Sequence, residues 1–299
     1  MIRLAVRCRP ELADIALAEL LEVAPGGVEE ERGDGYVELA IYGPPGEIPA
    51  LGEIAALVGG GLIEVTTAEI PDDWADRWRD FHRPVEIAGG RIVVRPSWHA
   101  PGTESPAAPD EPGGRTPIEV VVDPGQAFGT GAHPTTRLCL ELMLELADAG
   151  RARGAVCDLG TGSAVLAIAA AKLGWAPVLG VDHEPAALEA SRENAAANGV
   201  TIDIARVNLR QQSAPTAPTV IANLTAPLLA EVAERLERPP DALVCSGLLG
   251  AEAEAVASAF AAGGLAVSAR RDSGEWAALL LEHDSGPARQ ELFADPRSG

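Results

Sequence analysis

Two glycine-rich stretches lie close together in this chain, and both carry side chains that do chemistry. The first, "DPGQAFGTGAHPTT" (residues 123–136), is too apolar for a solvated linker. It is also too broken by Gly and Pro for a strand or helix. The second, "DLGTGSAVLA", opens at Asp158, between a strand pattern "AVCDL" and a helix pattern "VLAIAAAKLG". Gly160 and Gly162 let the backbone turn sharply and approach a ligand closely. A further apolar run, "VLGVD", ends on Asp182, 22 residues after Gly160. An acid there is placed to accept hydrogen bonds from both hydroxyls of a ribose.

Two cofactor classes use this strand–turn–helix geometry. A dinucleotide fold wants Gly-x-Gly-x-x-Gly, the third glycine letting helix and strand pack closely. The sixth position here is Val165, so that pattern fails. The other class binds S-adenosylmethionine, which needs no phosphate cradle, and an acid just before the turn meets the methionine ammonium. Asp158 holds that position. Each acid also has a plainer reading: Asp158 as a cap on the next helix, Asp182 as a capped turn before "HEPAALEA".

The elements that must position these residues follow from hydrophobic periodicity. From residue 118 onward, strands alternate with helices through "EWAALLLEH", the signature of an open α/β sheet with crossover helices. Residues 1–70 run βαββαβ: "IRLAVRC", "ELADIALAELLEV", a hairpin across "GDG", "IPALGEIAALV" and "LIEVTTAEI". That order suits a small ferredoxin-like sandwich. Residues 71–117 form a connector, with Trp74, Trp78 and Phe81 at helical spacing as a packing stripe and "RIVVRPSW" as a strand. Its Pro- and Gly-rich stretch at 100–116 reads as a flexible loop. The expected division is therefore 1–70, 71–117, a catalytic unit at 118–283 and a polar tail at 284–299.

Composition narrows the partners. A net charge of −21 argues against nucleic acid, whose phosphates want a basic surface. It suits a basic protein partner, or serves solubility alone. The four cysteines are scattered without a C-x-x-C, so no metal site or disulfide framework is expected, only buried thiols in a reducing cytoplasm. No signal peptide is evident, and no run approaches the roughly 20 apolar residues of a membrane span.

Six segments together resemble the bacterial PrmA family in order and spacing: "DPGQAFGTGAHPTTRLCLELM", "VCDLGTGSAVLAIAAAKLG", "GVDHEPAALEASRENAAANG", "VIANLTAPLLAEVA", "SGLLGAEAEAV" and "EWAALLL". The resemblance runs from end to end. That family methylates large-subunit ribosomal protein eleven. The resemblance implies a class I S-adenosylmethionine-dependent methyltransferase domain, Rossmann-like, preceded by a small ferredoxin-like α+β domain that recognises the ribosomal protein. It places Thr136, Gly160, Asp182 and Asn223 on the cofactor, beside Asp158 and Gly162 from the loop itself. The first loop would fold over the cofactor from the opposite side, with Phe128 and His133 walling the pocket. His133 reads equally well as a polar residue flanking a helix. Two positions depart from the family loop: Thr161 replaces a cysteine and Ala164 a glycine.

Methyl transfer is an in-line displacement at a sulfonium carbon, so the protein mainly aligns the reactants and supplies a neutral nucleophile. A lysine amine, with a pKa of roughly 10.4, is mostly charged at neutral pH, and a desolvated pocket favours its neutral form. Asn223 is the expected catalytic residue. Its side-chain carbonyl and the backbone carbonyl of Leu224 would accept N–H bonds and aim the lone pair. Amide and adenine methyltransferases often carry Asn-Pro-Pro-aromatic here. This chain has Asn-Leu-Thr-Ala, a wider site suited to an alkyl amine methylated repeatedly. The plainer reading of Asn223 is a strand-end turn residue. The expectation is thus a cytoplasmic protein-lysine N-methyltransferase acting on the ribosomal protein, with N-terminal amines an open addition. The alternatives are a methyltransferase of another protein or a small amine, and a non-catalytic cofactor-binding ribosome-assembly factor.

Overall fold

The structure is a computed structural model that describes residues 2–13, 16, 28–33, 35–43, 62–69, 83–100, 116–123 and 131–283. The Trp74–Trp78–Phe81 stripe, Phe128, most of the 100–116 loop, the tail and most of the two N-terminal helix patterns lie outside these residues.

The N-terminal strands are β1 (Ile2–Cys8), β2 (Glu29–Gly33), β3 (Tyr36–Gly43) and β4 (Leu62–Glu69). They form one antiparallel sheet in the order β2-β3-β1-β4. Period-two alternation sends Leu4, Val6 and Cys8 of β1 and Val37, Leu39 and Ile41 of β3 into one apolar cluster. Between them, Arg3 and Arg7 grip the buried carboxylate of Glu38. The two guanidiniums hold it below the usual carboxylate range, through the Arg3 hydrogen bond above all.

A second, small sheet joins β5 (Val85–Ile87), β6 (Ile92–Arg95) and β7 (Ile118–Val121). The strand at 118 therefore does not enter the large sheet, as unbroken α/β alternation implied. It pairs in parallel with β6, and β6 pairs antiparallel with β5. Burial explains this: Ile87, Ile92, Val94 and Val120 share a core with the helix that follows the first glycine-rich loop. The outer edge of β7 is closed by side chains. Lys172 donates to the Glu119 carbonyl at 2.5 Å. Asn198 accepts from the Val121 N–H at 2.8 Å and donates to its carbonyl at 2.6 Å. An edge closed in this way offers few free groups to another chain.

The rest of the described chain alternates as expected: α1 (Pro134–Asp148), β8 (Val156–Leu159), α2 (Val165–Leu173), β9 (Val178–Asp182), α3 (Pro185–Ala197), β10 (Asp203–Arg206), β11 (Thr219–Asn223), α4 (Ala226–Glu234), β12 (Ala242–Leu249), α5 (Ala253–Ala261), β13 (Leu265–Ser273) and β14 (Trp276–His283). Seven strands form a mixed sheet in the order β10-β9-β8-β11-β12-β14-β13. The first five are parallel, and β14 runs antiparallel to both its neighbours. Alternate residues of the central strands feed two separate apolar cores, one built with α1 and α2, the other with α4 and α5. From β8 the chain winds outward through β9 and β10, then returns to lay β11 on the other side of β8. A crevice opens beyond the carboxyl ends of the strands at such a reversal, the usual place for a ligand in an open α/β sheet.

Candidate functional site

Three strand ends meet at this crevice. The turn after β8 brings Gly160 and Gly162, β9 ends on Asp182, and β11 ends on Asn223. All four line one mostly apolar cleft of about 540 Å³. That lies within the roughly 300–1,000 Å³ of small-molecule sites.

The glycine turn is tight for stated reasons. Gly160 has φ +71°, and a Cβ there would stand 2.4 Å from Leu224 Cδ2. Gly162 also lies at positive φ. Asp182 holds the turn from one side: its Oδ2 accepts the Gly162 N–H at 3.0 Å. Its Oδ1 accepts the N–H groups of His183 at 2.7 Å and Glu184 at 3.1 Å. A carboxylate offers about four lone-pair sites, so three backbone bonds leave one free. Asp182 thus caps its own turn and also lines the cleft, with one acceptor site left where the sequence reading expected bonds from both hydroxyls of a ribose.

Helix α3 holds the turn from the other side. Ser191 donates to the Gly162 carbonyl at 2.8 Å and Asn194 to the Ser163 carbonyl at 2.9 Å. Sequence reasoning missed this pair, although "ASRENAAANG" places Ser191, Asn194 and Asn198 at i, i+3 and i+7, on one helix face.

Asp158 and Thr136 stand behind the cleft surface rather than on it. Asp158 is buried in β8, where the Thr161 hydroxyl donates to its Oδ2 at 2.8 Å and its Oδ1 has no hydrogen-bond partner among the described residues. Burial pushes its carboxyl up to about 7, and the charge of Asp182 adds to this. Thr136 is equally buried, and its Oγ1 accepts from Asn223 Nδ2 at 3.3 Å. That contact turns the Asn223 amide so that its nitrogen points at α1 and its oxygen stays available. Thr135, one helical step away, lines the cleft instead.

Leu224 is caught between two glycines. Its side chain lies over Gly160, and its peptide lies against Gly247, where a Cβ would come within 2.3 Å of the Leu224 oxygen. Gly247 has φ +84°. The Leu224 N–H is used by the Ser246 carbonyl at 3.0 Å.

His133 also fills both roles considered for it. It is the N-cap of α1, its Nδ1 accepting from the Thr135 N–H at 3.3 Å, and it lines the cleft. Burial lowers its pKa, so the ring is neutral at physiological pH. Its ring meets Trp276 edge-on, centroids 4.9 Å apart. Trp276 was not singled out from the sequence, because it reaches the cleft only through the placement of β14 beside β12. Ala164, the departure from the family glycine, adopts φ +65° at the start of α2 and is fully buried. A left-handed alanine costs roughly 1–2 kcal/mol, which a glycine avoids.

Comparison with known proteins agrees with this geometry. The family model described as "Ribosomal protein L11 methyltransferase (PrmA)" matches residues 52–284. A ribosomal protein L11 methyltransferase of Symbiobacterium thermophilum is 40% identical over 213 residues, covering 70% of this chain and 65% of that protein. One from Syntrophotalea carbinolica is 35% identical over 297 residues, covering 89% of this chain and 92% of that protein. A crystal structure of ribosomal protein L11 methylase from Lactobacillus delbrueckii subsp. bulgaricus superposes with a TM-score of 0.55 at 25% identity, covering 68% of this chain and 99% of that one. The seven-stranded mixed sheet is accordingly of the class I methyltransferase type, and the chain belongs to the ribosomal protein L11 methyltransferase (PrmA) family.

Proposed function

We propose that this chain is an S-adenosylmethionine-dependent protein N-methyltransferase that modifies lysine amines of ribosomal protein L11. The observation that carries this is the meeting of the Gly160–Gly162 turn, Asp182 and Asn223 in one crevice of a chain of this family. The residues fit the cofactor. Gly160 leaves a cradle that a Cβ would fill, and Asp182 keeps an acceptor site for a ribose hydroxyl. Ala187, Val207, Leu209 and Leu228 give the cleft an apolar wall that excludes water from a base. Asp158 would act from beneath the turn, by charge and by holding Thr161.

S-Adenosylmethionine supplies a methyl group on a positively charged sulfur that is already activated for displacement. The protein's part is to present the amine. The Asn223 oxygen and the Leu224 carbonyl accept N–H bonds and orient the nitrogen lone pair. The apolar cleft favours the neutral amine over its ammonium form. His133, kept neutral by burial, adds no like charge beside it. No dedicated base is assigned.

We further infer that residues 1–70 are a ferredoxin-like recognition unit. The sheet order β2-β3-β1-β4 and the chain lengths between its strands support this. Residues 71–117 are the connector, its β5 and β6 packed on the catalytic unit at 118–283. A ribosomal substrate puts the reaction in the cytoplasm. Calorimetry with S-adenosylmethionine on wild type and Asp182→Ala tests the cofactor site. Charge-assisted hydrogen bonds are worth about 1.5–3 kcal/mol each, so affinity should fall at least tenfold. Unchanged affinity in a folded variant would remove Asp182 from the site.

A further inference from the structure

We propose that the turn after β6 is a clasp that sets the position of residues 131–136, where α1 begins, with Asp123 and Ser97 as positioning residues for methyl transfer. The clasp is two-pronged. Asp123 Oδ1 accepts the Ser97 backbone N–H at 2.6 Å, and Oδ2 accepts the Ser97 hydroxyl at 2.9 Å. One residue earlier, the Val122 N–H donates to the Arg95 carbonyl at 2.9 Å. This ties residues 122 and 123 to the turn after β6.

Gly131 rests on the same strand. Gly131, at φ +81° and buried, lies so close to Val94 that a Cβ would meet its side chain at 2.8 Å. Residues 122, 123 and 131 therefore all bear on residues 94–97. The turn is itself braced by Arg95, which is 8% exposed. Its guanidinium bonds Glu119 Oε2 at 3.0 and 2.8 Å and the His99 carbonyl at 2.6 Å.

What depends on this anchorage is close at hand. His133 and Thr135, which line the cleft, come two and four residues after Gly131. Thr136 follows, and it orients Asn223. Ser97 and Asp123 do not line the cleft, so they act through the residues they hold. Asp182, Val207 and Leu209 are held by other elements and would not move with the clasp. The clasp thus governs amine alignment more than cofactor affinity. It rests on the methyltransferase function proposed above.

Asp123→Ala, Asp123→Asn and Ser97→Ala test it. Asp123 is exposed, so its loss should leave the fold intact, checked by thermal melting. Asparagine keeps an acceptor for the Ser97 N–H and a polar partner for its hydroxyl. With purified ribosomal protein L11, Asp123→Ala should lower kcat about tenfold or more, because a misplacement near 1 Å costs up to about a hundredfold. Its Kd for S-adenosylmethionine should change by less than about threefold, and Asp123→Asn should recover most of the turnover. Hydrogen exchange should quicken over residues 131–138 in Asp123→Ala and less so in Ser97→Ala, which keeps one prong. Wild-type turnover in Asp123→Ala, or an asparagine variant as impaired as alanine, would overturn the clasp. If wild type does not methylate the protein, the methyltransferase reading fails. Unchanged exchange over 131–138 would then overturn the clasp on its own terms.

Discussion

At the scale of single residues, the site is a set of strand-end polar groups whose neighbours decide what they can do. Asn223 is the sharpest case, with its amide nitrogen engaged by Thr136 and no partner for its oxygen among the described residues. Asn223→Ala should lower turnover more than cofactor affinity, because alignment matters most in the transition state. Steady-state kinetics beside calorimetry separates the two. Normal turnover at saturating cofactor would end its orienting role. Asp158 makes a pH-dependent prediction. Its folded pKa, raised to about 7, lies above the unfolded value, so the unfolded chain loses this proton first as pH rises. The native state is thereby disfavoured progressively from about pH 4 to about pH 7 and by a constant amount above that. Asp158→Asn removes this slope. Its melting temperature relative to wild type should climb across that window and then level off, a difference on the order of a few kcal/mol. A gap independent of pH would mean the carboxylate is ionised in the fold. Gly160, Asp182 and Asn223 were legible because each ends an apolar strand run. That Asp158 and Thr136 lie behind the cleft surface was not. Which face a strand residue takes depends on partners far away in sequence, and one helical step separates Thr136 from Thr135.

Among elements, helix α3 does more than cross over between strands. Its Ser191 and Asn194 hold the Gly162 and Ser163 carbonyls of the turn after β8, and Asn198 closes the edge of β7. Ser191→Ala should leave the Gly162 carbonyl without its partner. That costs about 1–3 kcal/mol, divided between stability and cofactor affinity. Melting curves with and without S-adenosylmethionine would show the stabilisation by cofactor shrink, and an undiminished ligand-induced shift would restrict Ser191 to folding alone. The helices and parallel strands were readable from periodicity alone. The small sheet β5–β7 was not, because its short strands pair across a chain separation that periodicity does not encode. Nor did the pattern reveal that β14 inserts between β12 and β13 and carries Trp276 to the cleft.

For the whole molecule, the proposed division of labour between the N-terminal sheet and the catalytic unit rests on where the expected cofactor residues lie, all of them after residue 122. A protein substrate must be gripped outside a narrow transfer pocket. A truncated chain starting near residue 70 should fold, bind S-adenosylmethionine with near-normal affinity and fail on intact ribosomal protein L11. Circular dichroism and calorimetry check the fold and the cofactor before turnover is compared at equal concentration. Full turnover by the truncated chain would remove the recognition role from residues 1–70. The family was legible in the sequence because two of its motifs are rich in glycine at positions where chemistry rather than packing fixes the residue types. The central claim is methyl transfer to that ribosomal protein, and intact-mass spectrometry tests it most directly. Purified ribosomal protein L11, incubated with this chain and S-adenosylmethionine, should gain mass in whole-methyl steps that fragmentation maps to lysine side chains, and should gain none with Asn223→Ala on the same timescale. A substrate whose mass stays unchanged, while the chain binds the cofactor tightly, would contradict it.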